Sequence, residues 1–302
     1  DPATTDTATT DPAGDLLRLD DARELLDRQT EVLELIARAA PLPDVLNRLL
    51  AALERRMPGA QCSVLLLDRL RGTLHHGAAP TLPTAYIAAI DGLRIGDGAG
   101  SCGTAVALNA PVVAVDVRTD PRWVDFRGVA DAAGLRSCWS TPIRGRDGMP
   151  VGTFAVYHPQ PHEPTAREQL LVDRFTHLAS VAIDHAGLIG ALVESEQRFR
   201  KSFDGNSLGL AILAGDRTII TANPALAELV DLAGGGRALV GRSLADLVTP
   251  RANTLDGLLA ELDLDDTATV VVEGHLHRDG LPDVEVEVTI SRLPARDGAP
   301  TQ

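Results

Sequence analysis

The sequence predicts an α+β chain of two domains, each a central antiparallel sheet with flanking helices, joined by one long helix. Three observations carry that reading. From Thr165 to Arg200, Leu171, Phe175, Leu178, Ala182, His185, Ile189 and Leu192 recur at alternating steps of four and three. That period keeps one apolar seam along a helix, as in coiled coils. On either side of it, short apolar runs that suit half-buried strands are separated by Gly-, Pro- and Asp-rich turns. The length of 302 residues is enough for two cores of ordinary size.

Composition narrows the function classes. Hydrophobic residues make up 44% and charged residues 23%, as in a soluble globular protein. No apolar run approaches the roughly 20 residues of a membrane span. The opening DPATTDTATTDPAG is polar and acidic and lacks the basic start of a signal peptide. Three cysteines do not make a disulfide framework, so a reducing cytoplasm is expected. A formal net charge of −14 argues against nucleic acid and membrane as partners, because both call for a basic patch. Lys201 is the only lysine, and Ala, Leu, Asp and Gly abound, a bias of high-GC bacterial genes. With no initiator Met, the expectation is a piece of a longer protein or a processed form.

In chain order, residues 1–14 read as a disordered tail. Residues 15–40 read as an N-terminal dimerisation helix, with Leu19, Ala22, Leu26, Gln29, Leu33 and Ile36 at three-four spacing. After Pro41 and Pro43, Val45, Leu46, Leu49, Leu50 and Leu53 fall on one face of a shorter helix. Cys62 to Asp68 is a buried strand that turns at 69–73 into a second near Leu74 to Gly77. A helix follows around Thr84 to Ile90. Then GDGAGSCGTA (Gly96 to Ala105) is a Gly-rich loop entering a helix. Pro111 to Val117 is strand-like, and Asp120 to Gly134 helical with Asp120 and Pro121 at its start. Leu135 to Ile143 and Val151 to His158 form a hairpin across RGRDGM. Pro164 pre-sets the first turn of the long connecting helix, residues 165–200, and Glu163 and Glu168 suit the positive end of its dipole.

The stretch AIDGLRIGDGAGSCGTA, then DVRTDPRWVDFRGVADAAGLRSCWSTPI, then GTFAVYH and the long closing helix resembles a GAF domain over residues 41–187. The resemblance implies a six-stranded sheet, a small-molecule pocket on one sheet face, and homodimerisation through flanking helices. Residues 194–302 resemble a PAS domain. FRKSFDGNSLGLAILAGDRTIITANPALAELV supplies two strands around Gly215 and Asp216, with Asn223 and Pro224 opening a helix. VVVEGHLHRDGLPDVEVEVTISRL reads as a late hairpin turning at 278–280, and the last strand of such a domain is missing after Leu293.

The candidate ligand-binding residues are Cys102, Trp123, Phe126, Arg127, Cys138 and Tyr157. Cys102 follows the Gly-rich loop at a helix start, where a thiol's pKa falls. Cys138 sits in a strand; the pair reads as a redox couple, a ligand clamp or plain apolar filler. Cys62 reads as core. Trp123, Phe126 and Arg127 lie on the helix that covers the ligand face in the resembled fold, as a lid for a small anionic or planar ligand or as a cap on the core. The SCGTA segment is similar to that of free-methionine-sulfoxide reductases. Those enzymes also need a cysteine in the following loop and carboxylates in the late strand. Here RTDPRWVDFRGVADAAG has no cysteine and GTFAVYH no Asp or Glu. The lysine-bearing signature of cyclic-nucleotide-binding GAF domains is excluded by the single Lys201. His75, His76, His158, His162, His177 and His185 show no metal-ligand spacing with the cysteines, so no metal is expected, and no cofactor is predicted. The second half has no His between Ala186 and Gly274, no Cys, and no aromatic residue after Phe203, against haem, flavin adduct or a stacked ring.

The expectation is a non-enzymatic cytoplasmic sensor. It binds a small ligand or senses redox state, and signals through the connecting helix to an output module absent from this chain. The resemblance implies cyclic-di-GMP, histidine kinase or phosphatase signalling for that module. The alternatives are a thiol-dependent redox enzyme on the same fold and a ligand-free dimerisation scaffold.

Overall fold

The computed structural model describes residues 34–35, 38, 40–231, 235–251, 257 and 269–291. The tail expected over 1–14 lies outside them, as does the helix expected over 15–40 apart from Glu34, Leu35, Arg38 and Ala40. The chain divides into two compact units, Asp1–Ala191 and Leu192–Gln302.

In the first unit six strands form one antiparallel sheet: β1 Gln61–Asp68, β2 Thr73–Ala78, β3 Leu93–Arg94, β4 Val112–Ala114, β5 Ser137–Arg144 and β6 Pro150–His158. Their order across it is β3-β2-β1-β6-β5-β4. The helices are α1 Leu42–Glu54, α2 Thr84–Ile90, α3 Gly100–Leu108, α4 Arg127–Ala132 and α5 Ala166–Asp204, whose residues from Leu192 onward belong to the second unit. The expected hairpin is β5–β6, with Cys138 opposite Tyr157, Trp139 opposite Val156 and Ser140 opposite Ala155.

Successive side chains of a strand face opposite sides, so each central strand serves two cores. Cys62, Val64, Trp139, Phe154 and Val156 join the one that α1 and α5 cover. Leu65, Cys138, Ala155 and Tyr157 join the other, beneath α2, α3 and the 120–134 segment. The apolar face read for α1 is that of the fold: Val45, Leu46, Leu49, Leu50 and Leu53 are all buried, each contributing roughly 1.5–3 kcal/mol.

Helix α5 starts on a capping box. Thr165 Oγ1 accepts from the Glu168 amide at 3.2 Å, and the Glu168 carboxylate accepts from the Thr165 amide at 2.8 Å. That device, rather than Pro164 alone, sets the helix start. Leu171, Phe175, Leu178 and Ala182 of the seam are buried, whereas Leu188, Ile189, Leu192 and Phe199 are exposed. By length and composition α5 is apolar enough to cross a membrane, with 22% of its most apolar 18-residue window buried. The stretch is not an unbroken apolar run, since Thr176, His177, Ser180, Asp184 and His185 interrupt it.

Two expected elements are shorter. The 120–134 stretch is a 3-10 turn, Pro121–Trp123, followed by α4. The Asp120 carboxylate accepts from the Arg122 amide at 2.9 Å, which closes the turn and points Trp123 inward. The 111–117 strand is only β4, because Asp116 bends the chain by accepting from the Arg118 amide and pairing with Arg136 at 2.6 Å.

The second unit holds β7 Ala211–Leu213, β8 Ile219–Ala222, α6 Pro224–Val230, α7 Leu244–Leu247, β9 Val248–Pro250, β10 Thr269–Leu276 and β11 Val284–Ser291. β7 pairs with β8, and β11-β10-β9 form a separate sheet. Asn223, fully buried, caps α6 by accepting from the Leu226 amide at 3.0 Å. Its amide group donates to Phe203 O at 3.0 Å and to Leu208 O at 2.8 Å. Both bonds lie within this unit, which begins at Leu192.

Candidate functional site

Glycines of the SCGTA region place the first turn of α3. A Cβ on Gly103 would lie 2.5 Å from Ala99 Cβ and 2.9 Å from Arg94 O, so only glycine lets the turn nest against the preceding loop. Gly100, at φ +60°, passes beneath Trp123 and Phe126, a left-handed backbone that glycine adopts without strain. The nesting sets Cys102 facing the sheet, above Tyr157.

Of the six residues singled out from sequence, Cys102, Trp123, Phe126 and Tyr157 line one small cavity of about 10 Å³ together with Tyr86 and Ser101. That volume admits about one water-sized molecule. Cys102 Sγ lies 3.7 Å from Tyr157 Oη, which is 3.3 Å from Ser63 Oγ. The Tyr86 ring meets Tyr157 edge-on at 5.7 Å, and Trp123 meets Phe126 edge-on at 6.4 Å. Cys138 does not line the cavity but is buried in the same core as Cys102. Arg127 is not brought to the cavity. Its Nη2 donates to Asp120 O at 3.2 Å, which makes it a brace of the 3-10 turn.

Ser101 was not legible as a site residue, yet it joins the parts. Its Oγ accepts from Trp123 Nε1 at 3.0 Å and donates to Cys138 O at 3.2 Å. A signal existed in a polar residue between Gly100 and Cys102 on a helix with no polar face. Tyr86 and Ser63 were likewise missed.

The two thiols differ in their surroundings. Hydrogen bonds from Cys138, then Ser140 and Tyr157, outweigh burial and hold Cys102 below the ordinary thiol range. Burial first, then the bond to Cys102, pushes Cys138 well above it. Burial likewise pushes up Cys62, which lies in the opposite core as expected, and the Tyr157 hydroxyl. A wider, open groove of about 680 Å³ runs past Glu54, Gln61 and Gly134. It contains none of the six residues and is mostly open to solvent.

A second constellation sits where β6 hands over to α5. His158, His162 and Glu168 place their ligand atoms within 4.8 Å of one another. This departs from the expectation of scattered histidines, which tested them only against the cysteines.

Residues 39–184 match the family model described as "GAF domain". A curated relative, the "Methyl sulfide methyltransferase-associated sensor" of Methanosarcina acetivorans, is 36% identical over 190 residues. Those residues make up 63% of this chain and 19% of the relative, so the chain spans about a fifth of that protein's length. Among solved structures, the GAF domain of a phosphoenolpyruvate-protein phosphotransferase from Coxiella burnetii is 20% identical with a TM-score of 0.47, covering 56% of this chain and 98% of that one. Free methionine-R-sulfoxide reductase from Neisseria meningitidis, in complex with its substrate, is 18% identical with a TM-score of 0.44, covering 57% and 96%.

Proposed function

We propose that the GAF domain formed by residues 39–184 is the sensing part of a signalling protein, and that an event at the Cys102 site reaches α5 through the sheet. The alternation along β5 and β6 carries this reading. Cys138 and Tyr157 face the site, while their chain neighbours Trp139 and Val156 lie in the core that α5 covers. Packed interiors shift between discrete arrangements rather than deforming smoothly. A strand movement that accommodates a change at the site therefore changes the packing under α5.

The event is entry of a small ligand, with Trp123 and Phe126 as the lid that yields to it. A second reading, redox sensing, is favoured by the two free thiols buried in one core: hydrogen peroxide takes two electrons from Cys102 and Cys138, giving one disulfide and two waters. The description of the Methanosarcina relative as a sensor supports the sensory role. The enzyme alternative draws no support from β6, which carries no Asp or Glu.

Further parts of the reading rest on less. A PAS-like relay in the second unit is supported by the β7–β8 turn, the Asn223-Pro224 helix start and the β10–β11 hairpin. A homodimer through the flanking helices is supported by the exposed Leu188, Ile189 and Leu192. An output module of the cyclic-di-GMP, kinase or phosphatase type is carried by family resemblance.

Native mass spectrometry of the purified chain, with identification of what denaturation releases, tests the site. A stoichiometric small molecule that is lost in Trp123→Ala supports the ligand reading. A disulfide formed with hydrogen peroxide and absent in Cys102→Ser supports the redox one. A chain that holds nothing and forms no disulfide overturns both.

A further inference from the structure

The geometry points to a divalent transition-metal site at His158, His162 and Glu168, joining the end of β6 to the first turn of α5. It is independent of the thiol site.

Each ligand hangs from a fixed piece of backbone. His158 closes β6, where its carbonyl accepts from the Arg136 amide at 2.8 Å. His162 donates its backbone amide to Val115 O at 3.0 Å, which pins the connecting loop to the chain just after β4. Glu168 is held by the capping box, and its Oε2 also accepts from Thr165 Oγ1 at 2.9 Å. Pro159, Pro161 and Pro164 fix three of the intervening φ angles. Much of the ordering that a metal would otherwise have to impose is already in place.

The side chains converge. His162 Nε2 lies 3.0 Å from Glu168 Oε2, and the two imidazole rings are 4.0 Å apart between centroids and tilted by 35°. The capping box and the His162–Glu168 pair account for those two residues without a metal. They do not account for His158, whose Nε2 is buried with no hydrogen-bond partner. Buried imidazole nitrogens are rarely left so, and an ion or a water is the usual explanation.

Two imidazoles and one carboxylate select a class of cation. Ca²⁺ and Mg²⁺ prefer all-oxygen shells. Zn²⁺ takes this donor set in four-coordinate sites that keep one position open, and Co²⁺ and Ni²⁺ accept imidazole as well. Once bound, the ion would staple the sheet to the start of α5.

The test uses the full chain, stripped with a chelator and titrated calorimetrically with Zn²⁺ alone. The expected result is one saturable equivalent, weakened at least about tenfold in His158→Gln and in His162→Gln, since loss of outer-shell partners alone costs 10–100-fold. Both side chains are partly exposed, and circular dichroism confirms that each variant folds. If either fails to fold, the Co²⁺-loaded wild type decides: its absorption spectrum should show a tetrahedral site without a thiolate-to-cobalt band. No saturable uptake, uptake unchanged in both variants, or a thiolate band would each overturn the proposal.

Discussion

The two faces of the first unit's sheet are built from the same strands yet differ in kind. The face under α1 and α5 is a plain apolar core, with Leu46, Phe154 and Phe175 almost wholly buried. The other face is just as buried but carries a polar chain: Trp123 to Ser101 to the Cys138 carbonyl, and Cys102 to Tyr157 to Ser63. The first face gives stability through area and tolerates no gaps. The second trades some of that for groups whose hydrogen bonds and protonation respond to chemistry. On the proposed function, a change on the second face is relayed through the strands to what packs on the first.

The largest expected effect lies on the inert face. Phe175→Ala should cost about 3–5 kcal/mol, from lost transfer energy plus the cavity left behind, measured by denaturant unfolding followed by circular dichroism. On the responsive face Ser101→Ala should cost less, about 1–3 kcal/mol, because it strands the buried Trp123 indole N–H. A loss as large as that of Phe175→Ala would erase the distinction between the faces.

Alkaline pH sharpens the comparison through the thiols. Cys138 and Cys62 have folded pKa values raised above the unfolded value of about 8.5. Below that pH both states hold the proton and these groups give no pH dependence. Above it the unfolded chain releases protons that the folded chain keeps, so stability falls as pH rises toward the folded values. Cys102, with its pKa lowered, contributes in the opposite direction, its stabilisation growing as pH rises from its folded pKa to the unfolded one. The net expectation is a decline above about pH 8.5, shallower in Cys138→Ala, and below that pH a rise that is lost in Cys102→Ser, read from melting temperature against pH. The smallest effect belongs to Tyr157→Phe. Removing one hydroxyl should cost about 1 kcal/mol and shift the onset of Cys102 alkylation to higher pH, because one hydrogen bond that favours the thiolate is gone.

Much of the fold was written locally. The apolar run of Cys62 to Asp68, the turn residues of RGRDGM that close the 135–158 hairpin and the Leu-rich face of α1 each state their element within a few residues. The site was half legible. Cys102 and Trp123 were visible as residue types in suggestive places. That Ser101 bridges Trp123 to the Cys138 backbone was not, because it depends on how α3 nests at Gly103, a tertiary contact without a sequence period. Arg127 was misplaced for a related reason. The 3-10 turn that Asp120 closes rotates it away from the cavity, and a continuous helix would have put it elsewhere. The His158, His162 and Glu168 spacing is short enough to read, but whether the prolines between them bring the side chains together is a matter of backbone path.

The central claim, that the responsive face moves the inert one, has a built-in reporter. The chain has two tryptophans, Trp123 at the site and Trp139 in the core beneath α5. In Trp123→Phe, emission comes from Trp139 alone. Stoichiometric hydrogen peroxide should then change the Trp139 emission, with reversal by a thiol reductant and no response when Cys102→Ser is added. Disulfide formation at Cys102 and Cys138 with an unaltered Trp139 signal would contradict the account.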